Sequence, residues 1–292
     1  MSGAATGLAV AAALGSAAAF GLATAMQHAE AGEVQRRGAF HPGLIGSLAV
    51  RRGWLLSFIA EFAAIGLQGL ALRDGRVALV QALIVFGLPV AVVLSTLLGA
   101  RKLSGRDILG LGLCTAGLVA CAVPQPPGAG TQTLPPLGRA LWAAAVCGAL
   151  VVALTVLAVR RPRLAGAASG AAAGVVIGMS VPVLAVVAAG LDDPVELLSS
   201  WPPYALAVLG LLGLTLSQAA FQTGSLGAPL ATLTLTEPVT AVALAVAVLH
   251  QRLPEGTGPR LAILTGALVA AGGVLLLAAG AEPAHSAVED RL

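Results

Sequence analysis

Long apolar segments separated by short polar ones occupy almost the whole chain. A helix rises about 1.5 Å per residue, so about 20 apolar residues are needed to cross a hydrocarbon core of ~30 Å. Segments that reach or approach this length predict an all-α fold, a polytopic membrane helix bundle of about nine transmembrane helices. These segments are 4–27, 53–72, 77–99, 107–123, 140–159, 164–190, 203–223, 226–249 and 261–280.

The polar stretch between the first two segments contains a shorter apolar run. Residues 38–50 include Pro42 and would extend over only roughly 20 Å as a helix, which is too short for an ordinary span. They form either a re-entrant segment or a tenth, vestigial helix.

Composition excludes a soluble domain. Only 10% of the 292 residues are charged, whereas soluble domains have about 25%. The 37 glycines suit helices that pack closely against one another in a bilayer. The lipid bilayer is therefore the expected partner of the apolar protein surface. No basic patch is interleaved with aromatic residues, so nucleic acid is not an expected partner. The three cysteines lie in apolar runs without metal-ligand spacing and are interpreted as packing residues.

Basic residues predict the orientation, because cytoplasmic loops are enriched in Lys and Arg. With nine spans, 11 of the 16 basic residues fall on the side of Arg160, whereas a crossing at 38–50 would leave only 9 there. This favours nine spans and a cytoplasmic C-terminal tail, 281–292. High Ala, Gly and Arg with little Lys indicates a bacterial cytoplasmic membrane. The basic residues on the opposite side are Arg73, Arg76, Arg139, Arg252 and Arg260.

The chain divides into two similar halves, 1–123 and 137–280, joined by a Pro-rich linker, 124–136. Residues 75–103 match 224–253: each begins with Gly and has a Pro fourteen residues later, Pro89 or Pro238. The third span therefore matches the eighth. Five spans separate them, an odd number, so the two copies are inverted. Inverted repeats are typical of secondary transporters, whose substrate site lies near the bilayer midplane.

The segment Leu235-Thr236-Glu237-Pro238-Val239, followed by Leu249-His250-Gln251-Arg252-Leu253, resembles the end-of-repeat pattern of the drug/metabolite transporter superfamily, EamA-like branch. Members often show Glu-Pro and, about a dozen residues later, Gly-Glu-Arg-Leu. Here His250-Gln251 stands in place of Gly-Glu. The resemblance implies a helical secondary transporter.

The first half is similar to the NIPA-like magnesium transporter branch of the same superfamily. Trp54, Ala60-Glu61 and Leu88-Pro89 are arranged comparably to the Trp, Gly-Glu and Pro-Leu-Gly of that branch, with Phe62 in place of the usual Asn after the Glu. This resemblance implies about nine spans and makes Mg²⁺ an alternative substrate.

Two carboxylates lie near the middle of predicted spans. Glu61 is ninth in a segment of 20 residues and Glu237 is twelfth in a segment of 24. A charge at the bilayer centre costs about 2.5–3.5 kcal/mol on insertion scales and normally faces a cavity or a partner. We expect one or both to bind a cation or a proton. Alternatively they are neutral groups that hydrogen-bond a neighbouring helix, with Glu237 bracing a kink at Pro238.

Other polar and small residues complete the candidate site. Gln68, Gln81, Gln218 and Thr236 either line a substrate path or join helices by hydrogen bonds. Pro89 and Pro238 predict helix kinks. A glycine every four residues predicts one face on which another helix approaches closely: Gly166, Gly170, Gly174 and Gly178.

These patterns favour a secondary transporter that moves a small polar metabolite or a cation by alternating access. A NIPA-like Mg²⁺ transporter and a non-transporting membrane subunit or sensor are the alternatives. An enzyme is not expected, because none of the four histidines lies inside a span and no Walker-type loop is present. No cofactor is expected, the metal is unknown, and a homodimer is left open.

Overall fold

The computed structural model describes residues 3–34, 52–97, 104–124, 133–221 and 227–279. The 38–50 segment and the 281–292 tail lie outside these ranges. Within them the chain forms eleven α-helices, two short 3-10 turns and no strand. The helices are α1 (Gly3–Val34), α2 (Arg52–Asp74), α3 (Val77–Ile84), α4 (Gly87–Leu97), α5 (Gly105–Ala122), α6 (Leu137–Arg160), α7 (Ala165–Ala189), α8 (Pro194–Leu198), α9 (Pro202–Phe221), α10 (Gly227–Ala247) and α11 (Thr257–Ala279).

The prediction of a polytopic helical bundle is confirmed. Eight stretches among the described residues are long and apolar enough to cross a membrane, and α3 and α4 together form one of them. The predicted segment 203–223 corresponds to α9, whose apolar part, Pro202–Ser217, is shorter. Helix α1 continues past the predicted end at residue 27, through the polar residues that lead to Val34.

Local sequence explains where helices begin and break. Ser104 and Asp107 form a capping box, in which the Ser104 N–H donates to Asp107 Oδ2 at 2.9 Å, so α5 starts at Gly105. Pro89 has no N–H to donate to the Val85 carbonyl, which accepts from the Leu88 N–H instead. The helix is accordingly interrupted between α3 and α4. Helix α10, in contrast, remains α-helical through Pro238.

The predicted glycine face packs α7 against α10. A methyl group added to Gly174 would lie 2.8 Å from the Leu233 carbonyl oxygen, and one added to Gly178 would lie 2.6 Å from that of Glu237. A methyl group on Gly170 would likewise meet the backbone of Pro229. The contacting residue numbers rise together along the two helices, so α7 and α10 run parallel.

A second glycine crossing, not anticipated from the sequence, joins α5 to α11. A methyl group on Gly266 would lie 2.7 Å from the Gly117 carbonyl oxygen, and one on Gly273 would lie 2.7 Å from that of Gly110. The reverse contacts, from Gly110 to Gly273 and from Gly117 to Gly266, are also present. The contacting residue numbers fall from 273 to 266 along α11 as they rise from 110 to 117 along α5, so the two helices are antiparallel.

Helix α1 packs between α2 and the α3–α4 stretch. The Ser16 hydroxyl donates to the Ala64 carbonyl at 2.8 Å and ties α1 to α2. A methyl group on Gly87 would lie 2.9 Å from the Ala17 carbonyl oxygen, and one on Gly21 would lie 2.8 Å from Val90 Cγ1. These contacts make α1 parallel to the α3–α4 stretch, in the same way that α7 is parallel to α10.

Substitution of Gly174 by alanine should destabilise the protein. The new Cβ would meet the α10 backbone, and overpacking of this kind costs about 1–3 kcal/mol in free energy of unfolding. Gly210→Ala on α9 is the matched control, because nothing lies within 4 Å of its Cβ position. There the higher helix propensity of alanine should stabilise by up to about 1 kcal/mol. Thermal unfolding in one detergent compares the two, and equal effects would contradict the close crossing.

Candidate functional site

Five stretches of helix meet in a buried apolar cluster in the middle of the bundle. Helices α1, α2, α3, α7 and α10 each contribute side chains to it, and it includes Ala13, Leu72, Val80, Val181 and Ala241. Their side chains are small or branched, so the helices can approach closely. The helices that carry Gln81 and Glu237, α3 and α10, both contribute to this cluster.

Gln81 on α3 and Glu237 on α10 come together across the two halves of the chain. Gln81 is only 2% exposed, and its side chain is close enough to the partly buried Glu237 carboxyl group to interact with it. Among the described residues, no acceptor lies in good hydrogen-bond geometry with Gln81 Nε2. Buried polar groups are rarely left in this condition. The pair therefore retains unused hydrogen-bonding capacity inside the bundle.

Thr236 occupies a helix interface. Its Cβ lies 3.0 Å from the position that a methyl group on Gly174 would take, so it packs on α7. Thr232, one turn earlier, also lies against α7 and donates its hydroxyl to the Ala228 carbonyl at 2.9 Å. Thr240 is placed in the same way beside Gly178. The threonine face thus complements the glycine face of α7.

The other predicted polar residues lie on different helices. Glu61 is partly buried on α2, whose packing partners include α1 and α7. Gln68, two turns further along α2, is 5% exposed and lies beside Gly69, which faces Leu184 of α7. Gln218 belongs to α9, and its side chain lies outside the described part of the chain. The structure therefore brings Gln81 and Glu237 together and places Glu61 and Gln68 on a separate helix.

Polar links join the two halves at one end of the bundle, hereafter the linked end. Arg76 Nη1 donates to the Arg252 carbonyl at 2.7 Å, and the Val77 N–H donates to Gln251 Oε1 at 3.1 Å. Arg73 contacts both carboxylate oxygens of Asp192 at 2.7 Å. The linked end thus contains residues that the sequence assigned to one side of the membrane.

The loop after α10 begins with a residue in an unusual conformation. His250 has φ 54°, and the Gln251 N–H donates to the Ala245 carbonyl at 3.0 Å. At a helix end of this kind, glycine is the preferred residue in the left-handed conformation. In the drug/metabolite transporter pattern, a glycine precedes the glutamate at this place. His250-Gln251 stands at the position of Gly-Glu in the pattern that this segment resembles. That position is the signal that could have identified Gln251, which is 6% exposed, as a structural link.

No group of three or more His, Cys, Asp or Glu side chains forms a metal-binding cluster among the described residues. The cysteines are free; Cys114 and Cys147 are buried. Cys121 is partly buried, and its Sγ lies 3.4 Å from the Ile263 carbonyl oxygen of α11. Their placement at helix interfaces agrees with the packing role predicted for them.

Comparison with known proteins identifies one curated relative. The chain is 28% identical over 251 residues to an uncharacterized protein of Corynebacterium glutamicum, and the alignment covers 84% of this chain and 86% of the relative. No family model matches the chain. No solved structure matches it either.

Replacing His250 by glycine should give a more stable protein than replacing it by alanine. Both changes remove the imidazole, and only alanine retains a Cβ in the left-handed conformation, which costs about 1–2 kcal/mol. We expect the glycine variant to be more stable by about 1 kcal/mol in thermal unfolding. An alanine variant of equal or greater stability would contradict the cap geometry.

Gln251→Leu should destabilise the linked end, because it leaves the buried Val77 N–H without its acceptor. An unsatisfied buried donor costs about 1–3 kcal/mol. Gln251→Glu keeps a side-chain oxygen at the same reach and should unfold close to the native temperature. Similar losses in both variants would show that the hydrogen bond to Val77 is not what stabilises this loop.

Proposed function

We propose that the protein is a secondary transporter of the drug/metabolite transporter type, which moves a small polar metabolite or a cation by alternating access. The observation that carries the proposal is the meeting of Gln81 and Glu237 inside the bundle, one from each half of the chain. A carboxyl group at membrane depth is costly unless it serves a partner or a cavity. The neighbouring amide, with unused hydrogen-bonding capacity, gives a solute a second point of attachment.

Helix packing supports a repeat of four spans in each half. Within the first half, α1 packs on α2 and runs parallel to the α3–α4 stretch; within the second, α7 packs on α9 and runs parallel to α10. We assign α5 and α11 as the fourth span of each copy. Helix α6, which packs chiefly on α7, stands outside the repeat.

The contacts between the two copies support their inversion. The pair α5 and α11 is antiparallel, and Gly110, Gly117, Gly266 and Gly273 contact one another reciprocally, as a two-fold axis between the helices would require. The α3–α4 stretch and α10 are also antiparallel: Val77 contacts Gln251, whereas Gln81 lies beside Glu237. Inverted repeats place the substrate site at their interface, which is where Gln81 and Glu237 meet.

Alternating access requires the linked end to open. Its links are few: neutral hydrogen bonds contribute about 0.5–1.5 kcal/mol each. The Arg73–Asp192 pair is 39% and 74% exposed, and exposed pairs contribute at most about 1 kcal/mol. A solute that binds the open and closed forms with affinities differing by a few kcal/mol would shift this equilibrium. In the described conformation these links between the two halves are formed, so one step of the proposed cycle is to break them.

The test is flux into proteoliposomes that contain internal Mg²⁺ and pH dyes, with Mg²⁺ and a panel of small polar metabolites offered outside. Glu237→Gln should lower solute-dependent flux at least about tenfold, because it removes the charge but keeps the shape of the side chain. Glu196→Gln, an exposed carboxylate on α8, is the matched control and should transport normally.

Each variant is first checked for monodispersity and thermal stability, which separates lost function from lost folding. Mg²⁺ entry would indicate the NIPA-like alternative, and a pH change that needs an added metabolite would indicate proton-coupled transport. Full flux in a folded Glu237→Gln protein would reject Glu237 as the coupling residue. Silence of the native protein toward the whole panel would favour the non-transporting alternative.

A further inference from the structure

A cavity of about 560 Å³, wide open to the surroundings, lies at the linked end, beside the end of α10. Its polar lining comes from the loop between α10 and α11 and from the start of α11: His250, Gln251, Arg252, Glu255 and Arg260. Its size is within the range of ligand pockets, about 300–1,000 Å³. It is separate from the Gln81–Glu237 pair, neither member of which lines it. We refer to it as the basic cavity.

Positive charge in the basic cavity is not balanced by the protein. Arg252 and Arg260 line it, and Glu255 is the one acidic residue of the lining. Arg139, at the start of α6, adds a third guanidinium group beside His250. Among the described residues, none of these three arginines is within ion-pair distance of a carboxylate, whereas Arg73 at the same end is paired with Asp192. The lining and its neighbour thus carry two more positive charges than negative ones.

Hydrogen bonds to the main chain hold this arrangement in place. Arg260 Nε donates to the Pro254 carbonyl at 3.2 Å, and Arg139 Nη1 donates to the Val248 carbonyl at 3.5 Å. Arg76 holds the loop from the other side through the Arg252 carbonyl. Arg139 also contacts His250 Nε2, and because arginine only donates, this nitrogen is the acceptor in that contact. The guanidinium groups of Arg139, Arg252 and Arg260 can only donate hydrogen bonds. Glu255 is the one carboxylate in the lining that could accept them.

We propose that the basic cavity binds an oxyanion of the phosphate type, held by Arg252 and Arg260 with Arg139 beside them. Guanidinium groups match phosphate oxygens in charge and in the geometry of paired N–H donors. A phosphate or phosphomonoester dianion would balance the surplus charge, and a phosphodiester would offset half of it. The residues lie at an end of the bundle, where lipid head groups and free solutes are both accessible. The ligand is therefore either a soluble phosphate compound or the phosphodiester head group of an anionic lipid.

The experiment measures binding to the full-length protein in nanodiscs of zwitterionic phosphatidylcholine. In one arm sodium phosphate is titrated at constant ionic strength, and in the other phosphatidylglycerol is added to the discs; both are read by thermal unfolding, and retained lipid by native mass spectrometry. We expect stabilisation by at least one probe. Arg252→Gln combined with Arg260→Gln should weaken it at least about tenfold, since two charge-assisted bidentate contacts are lost.

Two further variants make the result decisive. Arg161→Gln with Arg163→Gln removes two exposed arginines from the α6–α7 loop and should bind as the native protein does. Arg252→Lys with Arg260→Lys keeps the charge but not the planar donors, so it should fold normally and bind with intermediate affinity. Stabilisation by phosphate in lipid lacking phosphatidylglycerol identifies a soluble ligand, and stabilisation by phosphatidylglycerol alone identifies a head group. No binding of either probe, or equal loss in the Arg161/Arg163 control, would overturn the proposal.

Discussion

At Gly117 the backbone of α5 lies so close to α11 that a methyl group would collide with the amide nitrogen of Ala270. The same kind of contact joins α7 to α10 at Gly174 and α1 to α4 at Gly87. In lipid, apolar side chains gain little by leaving the hydrocarbon for a protein interior, so helix association depends on close packing. These backbone contacts therefore hold the helix pairs together, and those between α7 and α10 also position Thr236 and the backbone of Glu237.

The placement of Glu237 shows how packing and polarity are combined. Its backbone nitrogen lies 3.1 Å from the position that a methyl group on Gly174 would take, and its carbonyl oxygen lies 2.6 Å from that of a methyl group on Gly178. The backbone at this position is consequently held by a neighbouring helix, although Pro238 follows and frees the carbonyl of Thr234. A proline inside a helix often bends it. Here the contacts with α7 support the backbone around Pro238, and the Glu237 carboxyl group lies beside Gln81 of the other half. A rigid support is what an ion or solute site requires of its scaffold.

The linked end has a different physical character. Among the described residues, its connections are hydrogen bonds near the loops and one exposed ion pair, and no glycine crossing reinforces the contacts of Arg76 and Gln251 with the other half. The bundle therefore combines helix pairs joined by continuous close packing with a junction joined by a few polar links. Such a division is what a motion of rigid parts needs, because the junction can open while the packed pairs remain intact. The basic cavity borders this junction through Arg252, whose carbonyl is one of the links.

Much of the fold could be predicted from the sequence because hydropathy and helix length depend on composition within one segment. The apolar segments, the glycine face of α7 and the break preceding Pro89 follow from residues close together in the chain. The partner of that glycine face could not be predicted, since the threonine face of α10 is recognisable only once the two helices are in register. The paired glycines of α5 and α11 could not be predicted for the same reason. Two glycines seven residues apart form a close helix crossing only when another such pair lies opposite them.

The candidate site shows the same limit. By sequence Glu61 and Glu237 were equivalent, each a carboxylate in the middle of an apolar segment. The tertiary structure placed Gln81 beside Glu237 and assigned Glu61 to α2, and it placed Thr236 in a helix interface. His250 and Gln251 acquired their roles from a backbone conformation and from a loop 174 residues away. The sequence by itself determined that this is a membrane helix bundle with two costly mid-span carboxylates. Only the tertiary structure decided which polar groups meet, because that depends on which helix faces pack closely enough to touch.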